Sequence, residues 1–129
     1  MKIKLVVPSA IFSLSVAFGL LAQERPAVRT ITGKLVDSKC YVEGFAENTH
    51  MGIKDCGTQC AKSGIPVALV NVEGSFTTIL APSLALAEYI GQEARITGRV
   101  DAQSRTIIPD KVEVRRGDQW QEVKLRGTM

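Results

Sequence analysis

Aromatic residues are scarce in this 129-residue chain: one Trp, two Tyr and four Phe make up 5% of it. Histidine occurs once, as His50. With a single His, a Ser-His-Asp set would exist only by coincidence. No phosphate-binding loop and no paired-carboxylate motif stands out. A strong excess of one charge is lacking too, since 16 Lys and Arg face 13 Asp and Glu. That balance does not build the basic surface of a nucleic-acid binder. Beyond residue 22 no apolar run is long enough to span a bilayer. There is no internal repeat and no low-complexity tract.

The N-terminus is where charge and apolarity are patterned. Lys2 and Lys4 precede an uncharged stretch from Leu5 to Ala22 rich in Leu, Val, Ile, Phe and Ala. This is the charged and then apolar order of a secretory signal, with a small residue at Ala22 for cleavage. A cut after Gly19 also fits, and no Cys stands at the boundary to carry a lipid. The other reading, an uncleaved anchor, requires Pro8 and Ser9 inside a stretch at the lower edge of spanning length. The expected organisation is a signal over 1–22, a tether over 23–28 and one domain over 29–129. Loss of Lys2 and Lys4 with the signal lowers the formal net charge of +3 to about +1. The expected location is periplasmic or secreted, where thiols meet oxidising conditions.

Period-two alternation predicts a first strand over Arg29–Asp37, with a bulge or bend at Gly33. Residues 38–64 break the pattern. They carry several glycines, all three cysteines and His50, and they predict a long loop with one short helix over 55–62. Asp55 is read as its cap and Gly64 as its stop. Long loops in compact domains are usually functional or cross-linked. A hairpin follows, with strands over Ile65–Val72 and Phe76–Leu80. Next come a helix over Ser83–Ile90, stopped by Gly91, and a second hairpin, Glu93–Asp101 with Thr106–Arg115. A last weak strand is expected between Trp120 and Leu125.

The order strand, long loop, strand, strand, helix, strand, strand is that of an all-β, OB-like five-stranded barrel with a cysteine-rich loop between strands 1 and 2. The segment Ala94–Arg115 resembles the last hairpin of such domains. Gly-Lys-Leu-Val-Asp-Ser-Lys-Cys at 33–40, Cys-x3-Cys at 56–60 and Gly-Ile-Pro-Val-Ala-Leu-Val at 64–70 together resemble a group of small exported bacterial proteins with OB-like cores. That resemblance implies a fold and a compartment and no particular reaction. The stretch from Ser63 through the second helix is also similar to the C-terminal half of thioredoxin. Against it, the cysteines are spaced Cys-x3-Cys, they lie too close to Pro66, and two strands follow the helix.

The chemically pointed feature is Cys40, His50, Cys56 and Cys60. On a helix, Cys56 and Cys60 share one face a turn apart. Their Cβ vectors are then nearly parallel, which suits joint ligation of one ion better than a disulfide. Cys40 would approach from the end of the first strand, and His50 would complete a tetrahedral Cys3His set for copper or zinc. Cys-x3-Cys with a distant His resembles, in spacing alone, the copper-binding pattern of cytochrome oxidase assembly factors. Two other readings stand beside this. A disulfide from Cys40 to Cys56 or Cys60 would pin the loop and contribute about 3 kcal/mol, leaving a stapled, non-catalytic domain that binds a protein or glycan partner. A reactive thiol would make an exchange protein. Asp37 and Asp55 lie near enough in sequence to approach the thiols, but Asp37 reads as a strand end and Asp55 as a cap. Phe76 and Tyr89 read as core residues, which leaves few rings for base stacking, so no nucleic-acid partner is expected. Arg95 and Arg99 fall on the solvated face of their strand. The expected function is a small exported binding module, not an enzyme, with copper or zinc as its ion and no identifiable partner.

Overall fold

Leu35, Val36 and Asp37 close the first strand as three consecutive buried residues, whereas its first half is exposed. The reason is that the strand serves two neighbours in turn. In the computed structural model, which describes residues 26–45, 48–50 (His50 by its backbone only) and 52–125, strand β1 runs Ala27–Asp37. Its N-terminal part pairs with β6 (Glu93–Asp101), and its C-terminal part pairs with β4 (Val67–Val70). Gly33 stands just before this handover. It carries no register shift; instead a Cβ there would collide with the backbone oxygen of Val70. Glycine is needed for the close crossing, so the bulge expected at this position is replaced by a contact requirement. The shift in register lies elsewhere, between Thr97 and Gly98, where Gly98 faces Pro109. A proline has no N–H to give the ladder and fits at such an irregularity.

β4 pairs antiparallel with β5 (Phe76–Ile79), and β6 pairs antiparallel with β7 (Thr106–Arg116). A short parallel pairing of β5 with β7, at Thr78–Thr106 and Ile79–Ile107, closes the sheet on itself. The result is a five-stranded barrel ordered β1-β4-β5-β7-β6. Helix α3 (Ser83–Leu86) and a 3-10 turn (Ala87–Tyr89) lie in the crossover between β5 and β6. This is the all-β OB arrangement expected from the sequence. It differs from the thioredoxin alternative, because the strands after the helix are integral to the closure. An eighth strand, β8 (Gln119–Val123), extends β7 outside the barrel. β1 starts at Ala27, so Ala27 and Val28 pair with Val100 and Arg99 and are not tether. Residues 1–22, expected to be the signal, and residues 23–25 lie outside the described residues.

The core is aliphatic. Leu35, Leu69, Leu86, Ile96, Ile107 and Val114 are essentially without solvent contact. Leu86 and Ile90 both belong to this core, with Tyr89 packed against it. The expected helix there is split, ending as an α-turn at Leu86 and continuing as 3-10. The strand-1 to strand-2 insertion is richer than one helix. It holds α1 (Ser38–Val42), a two-residue hairpin of β2 (Thr49–His50) with β3 (Ile53–Lys54), and α2 (Cys56–Lys62).

Candidate metal centre

Asp37 begins the site. It ends β1 and is also the N-cap of α1, with φ −71° and ψ 127°, and its Oδ1 accepts the Cys40 N–H at 2.7 Å. That bond satisfies one of the orphan donors of the first turn. The Ser38 N–H donates to the Pro66 carbonyl at 3.1 Å, which ties the start of α1 to the chain entering β4. Cys40 is thereby carried inward and is 3% exposed.

α2 supplies the other two sulfurs. Gly57 and Ala61, one turn apart, are its buried residues, and Cys56 and Cys60 precede each of them at the edge of that face. Gly57 is required by close packing. A Cβ there would stand 2.9 Å from Asn48 Oδ1, 3.0 Å from Ile90 Cγ2 and 3.3 Å from Asp37 Cβ. Asp55 does not cap this helix. It sits in the left-handed region at φ 56° with no side-chain cap bond. Asn48, ahead of β2, takes that role. Its Oδ1 accepts the Thr58 N–H at 2.9 Å and its Nδ2 donates to Thr58 Oγ1 at 2.9 Å. At the other end Gly64, at φ 96°, donates its N–H to Ala61 O and lets the chain reverse, as expected for a helix stop.

The sulfurs of Cys40, Cys56 and Cys60 lie within 4.8 Å of one another. All three cysteines are free. The staple expected from Cys40 to Cys56 or Cys60 is therefore not formed. An ion with metal–sulfur bonds of about 2.3 Å needs its sulfurs about 4 Å apart, and a separation within 4.8 Å is close to that requirement. His50 pairs its backbone with Ile53 in the small hairpin. Its side chain, expected as the fourth ligand, lies outside the described residues.

The electrostatics of the cluster are unusual for a surface loop. Burial, then the Asp37 carboxylate and then Cys56, push the Cys40 thiol up to about 12. Cys60 is raised by burial first and next by the charge of Asp37. Asp37 is itself 2% exposed. Its Oδ2 is buried without a hydrogen-bond partner. Among the described residues no lysine or arginine forms a salt bridge with it. In the sequence alone Asp37 reads as a strand end. Its place three residues before Cys40 is the spacing of an Asp cap and the N–H it accepts, and is the local signal of its role.

The rings are engaged elsewhere. Tyr41 stacks on Phe76 at 5.4 Å, Arg95 lies 4.7 Å from the Trp120 ring centre, and Arg116 lies over Tyr89. Arg95 is thus no free solvated charge; it also bonds Glu113 at 2.9 Å. No protein-family model, curated protein or solved structure matches this chain, so the site's chemistry is read from its own geometry.

Proposed function

We propose that this protein is a small exported binding module that holds one copper or zinc ion through Cys40, Cys56 and Cys60. The observation that carries the reading is the mutual approach of three unpaired sulfurs within 4.8 Å, drawn from the two helices of the insertion between β1 and β4. Soft thiolates prefer such ions, and the third sulfur has no use in a simple staple. His50 is the candidate fourth donor from the hairpin between the two helices. The export reading rests on the Lys2–Ala22 pattern.

Titration of the reduced protein under anaerobic conditions, followed by elemental analysis, tests the ion. One equivalent of copper or zinc is expected, with loss in Cys56→Ser and in Cys60→Ser. Absence of stoichiometric metal, or unchanged binding in both variants, removes the proposal. Fractionation of expressing cells with N-terminal sequencing tests export. A mature chain beginning near Gln23 outside the cytoplasm is expected, and an intact Met1 terminus inside it would refute that part.

A further inference from the structure

The three sulfurs do not by themselves choose between Cu(I) and Zn(II), because thiolates serve both. A neighbouring group bears on the choice. Asp37 is a buried carboxylate with one oxygen used and one unused: Oδ1 takes the Cys40 N–H, and Oδ2 is enclosed without a partner. Leaving such an oxygen unsatisfied in a low-dielectric interior is costly. A buried carboxylate also needs compensating positive charge, and none of the described salt bridges reaches Asp37. The group cannot easily turn outward. Its Oδ1 is held by the α1 cap, and the Gly57 backbone is close enough that a Cβ there would touch Asp37 Cβ at 3.3 Å.

Capping does not explain this residue. Asn is as good an N-cap as Asp, so the cap needs neither the negative charge nor the second oxygen. What the charge does adjoin is the cysteine cluster: Oδ1 holds the Cys40 N–H at 2.7 Å, and the Gly57 backbone, next to Cys56, lies beside the Asp37 side chain.

We propose that Asp37 is the specificity-determining residue of the Cys40/Cys56/Cys60 site, where its carboxylate biases the site toward a divalent ion of the zinc class and away from Cu(I). This rests on the metal-binding reading above and adds the choice of ion to it. Three thiolates put three negative charges around one position, and the Asp37 carboxylate beside Cys40 adds a fourth next to them. A dication cancels two of them and a monovalent ion only one, so the buried carboxylate rewards the divalent ion.

The test uses the full chain, reduced and anaerobic, with Zn(II) and Cu(I) supplied separately against chromophoric chelators. Wild type, Asp37→Asn and Asp37→Ser are compared, the last two being cap-competent residues without charge. Removing a supporting carboxylate typically costs 10–100-fold in metal affinity. The expected result is a loss of about 10-fold or more for Zn(II) in both variants, with Cu(I) affinity within about 3-fold of wild type. An equal loss for both ions would mean a merely structural role, and an unchanged Zn(II) affinity would mean none; either overturns the proposal. Should neither variant fold, wild type still decides. Stoichiometric Zn(II) binding supports the assignment, and binding of Cu(I) without Zn(II) overturns it while sparing the three-sulfur site. Binding of neither ion refutes the underlying metal reading itself.

Discussion

Glu113 shows how a single side chain on this barrel is governed by its cross-strand partners. It lies opposite Arg95 on β6, and Lys111 is two residues away on the same face of β7. Arg95 donates to its Oε2 at 2.9 Å and Lys111 approaches its Oε1 at 2.9 Å. The Arg95 hydrogen bond first, and the Lys111 bond second, hold its carboxyl down to about 2. The sign follows from linkage. A carboxyl whose folded value is depressed stabilises the fold above its unfolded value near 4.3, and that contribution is lost as pH falls toward 2. Urea unfolding of wild type and Glu113→Gln should show wild type more stable at pH 7. The difference should shrink through the interval from about pH 4.5 to 2. A gap that stays constant across that interval would contradict the ion pair.

At the scale of the element, α2 is held in place by residues outside itself. Asn48 caps it from across the small hairpin, and Gly57 lets it lie against Asp37 and Ile90. Asn48→Ala removes the acceptor for the Thr58 N–H and should cost about 1 kcal/mol in chemical denaturation. Because the helix carries Cys56 and Cys60, the same change should weaken metal binding although Asn48 is no ligand. Gly57→Ala improves helix propensity, which alone would stabilise by about 1 kcal/mol. Here it forces a methyl group against Asn48 Oδ1 and Ile90 Cγ2, so the net effect should be destabilising by about 1–3 kcal/mol. A more stable Gly57→Ala protein would show that α2 does not pack as described. These element-scale features were half legible. The helix, expected over 55–62 and found over Cys56–Lys62, its Gly64 stop and the shared face of the cysteine pair follow from spacing. The cap assignment did not, because Asp55 adjoins the helix in sequence while Asn48 reaches it only once the hairpin β2–β3 turns back.

For the whole molecule, the cysteine insertion meets the barrel at Val36–Cys40, at the chain entering β4, and where α2 packs against β1, α3 and the 3-10 turn. Metal binding should therefore stabilise the entire fold and not the loop alone. An ion that binds only the native state raises stability by about 2.7 kcal/mol at a free concentration 100 times its Kd. Thermal melts should shift upward with added Zn(II) in wild type and stay fixed in Cys56→Ser. Leu35→Ala, in the middle of the core beside this junction and fully buried, should cost about 2–5 kcal/mol in denaturation. A melt insensitive to Zn(II) in wild type would separate the insertion from the barrel's stability.

The sequence by itself determined the five barrel strands, the crossover helix and the position of the cysteines, because alternation, turn residues and Cys spacing are local signals that short-range sterics and burial must obey. β1, β6 and β7 keep nearly the limits that alternation predicts. Only the tertiary structure decided that Cys40 meets Cys56 and Cys60, that Asn48 and not Asp55 caps α2, and that Asp37 is buried beside the thiols. Each of these depends on the α1 cap turning the chain inward and on α2 packing back over β1. Residues far apart along the chain carry no periodic trace of such an encounter, since it is set by the closure of the barrel beneath them.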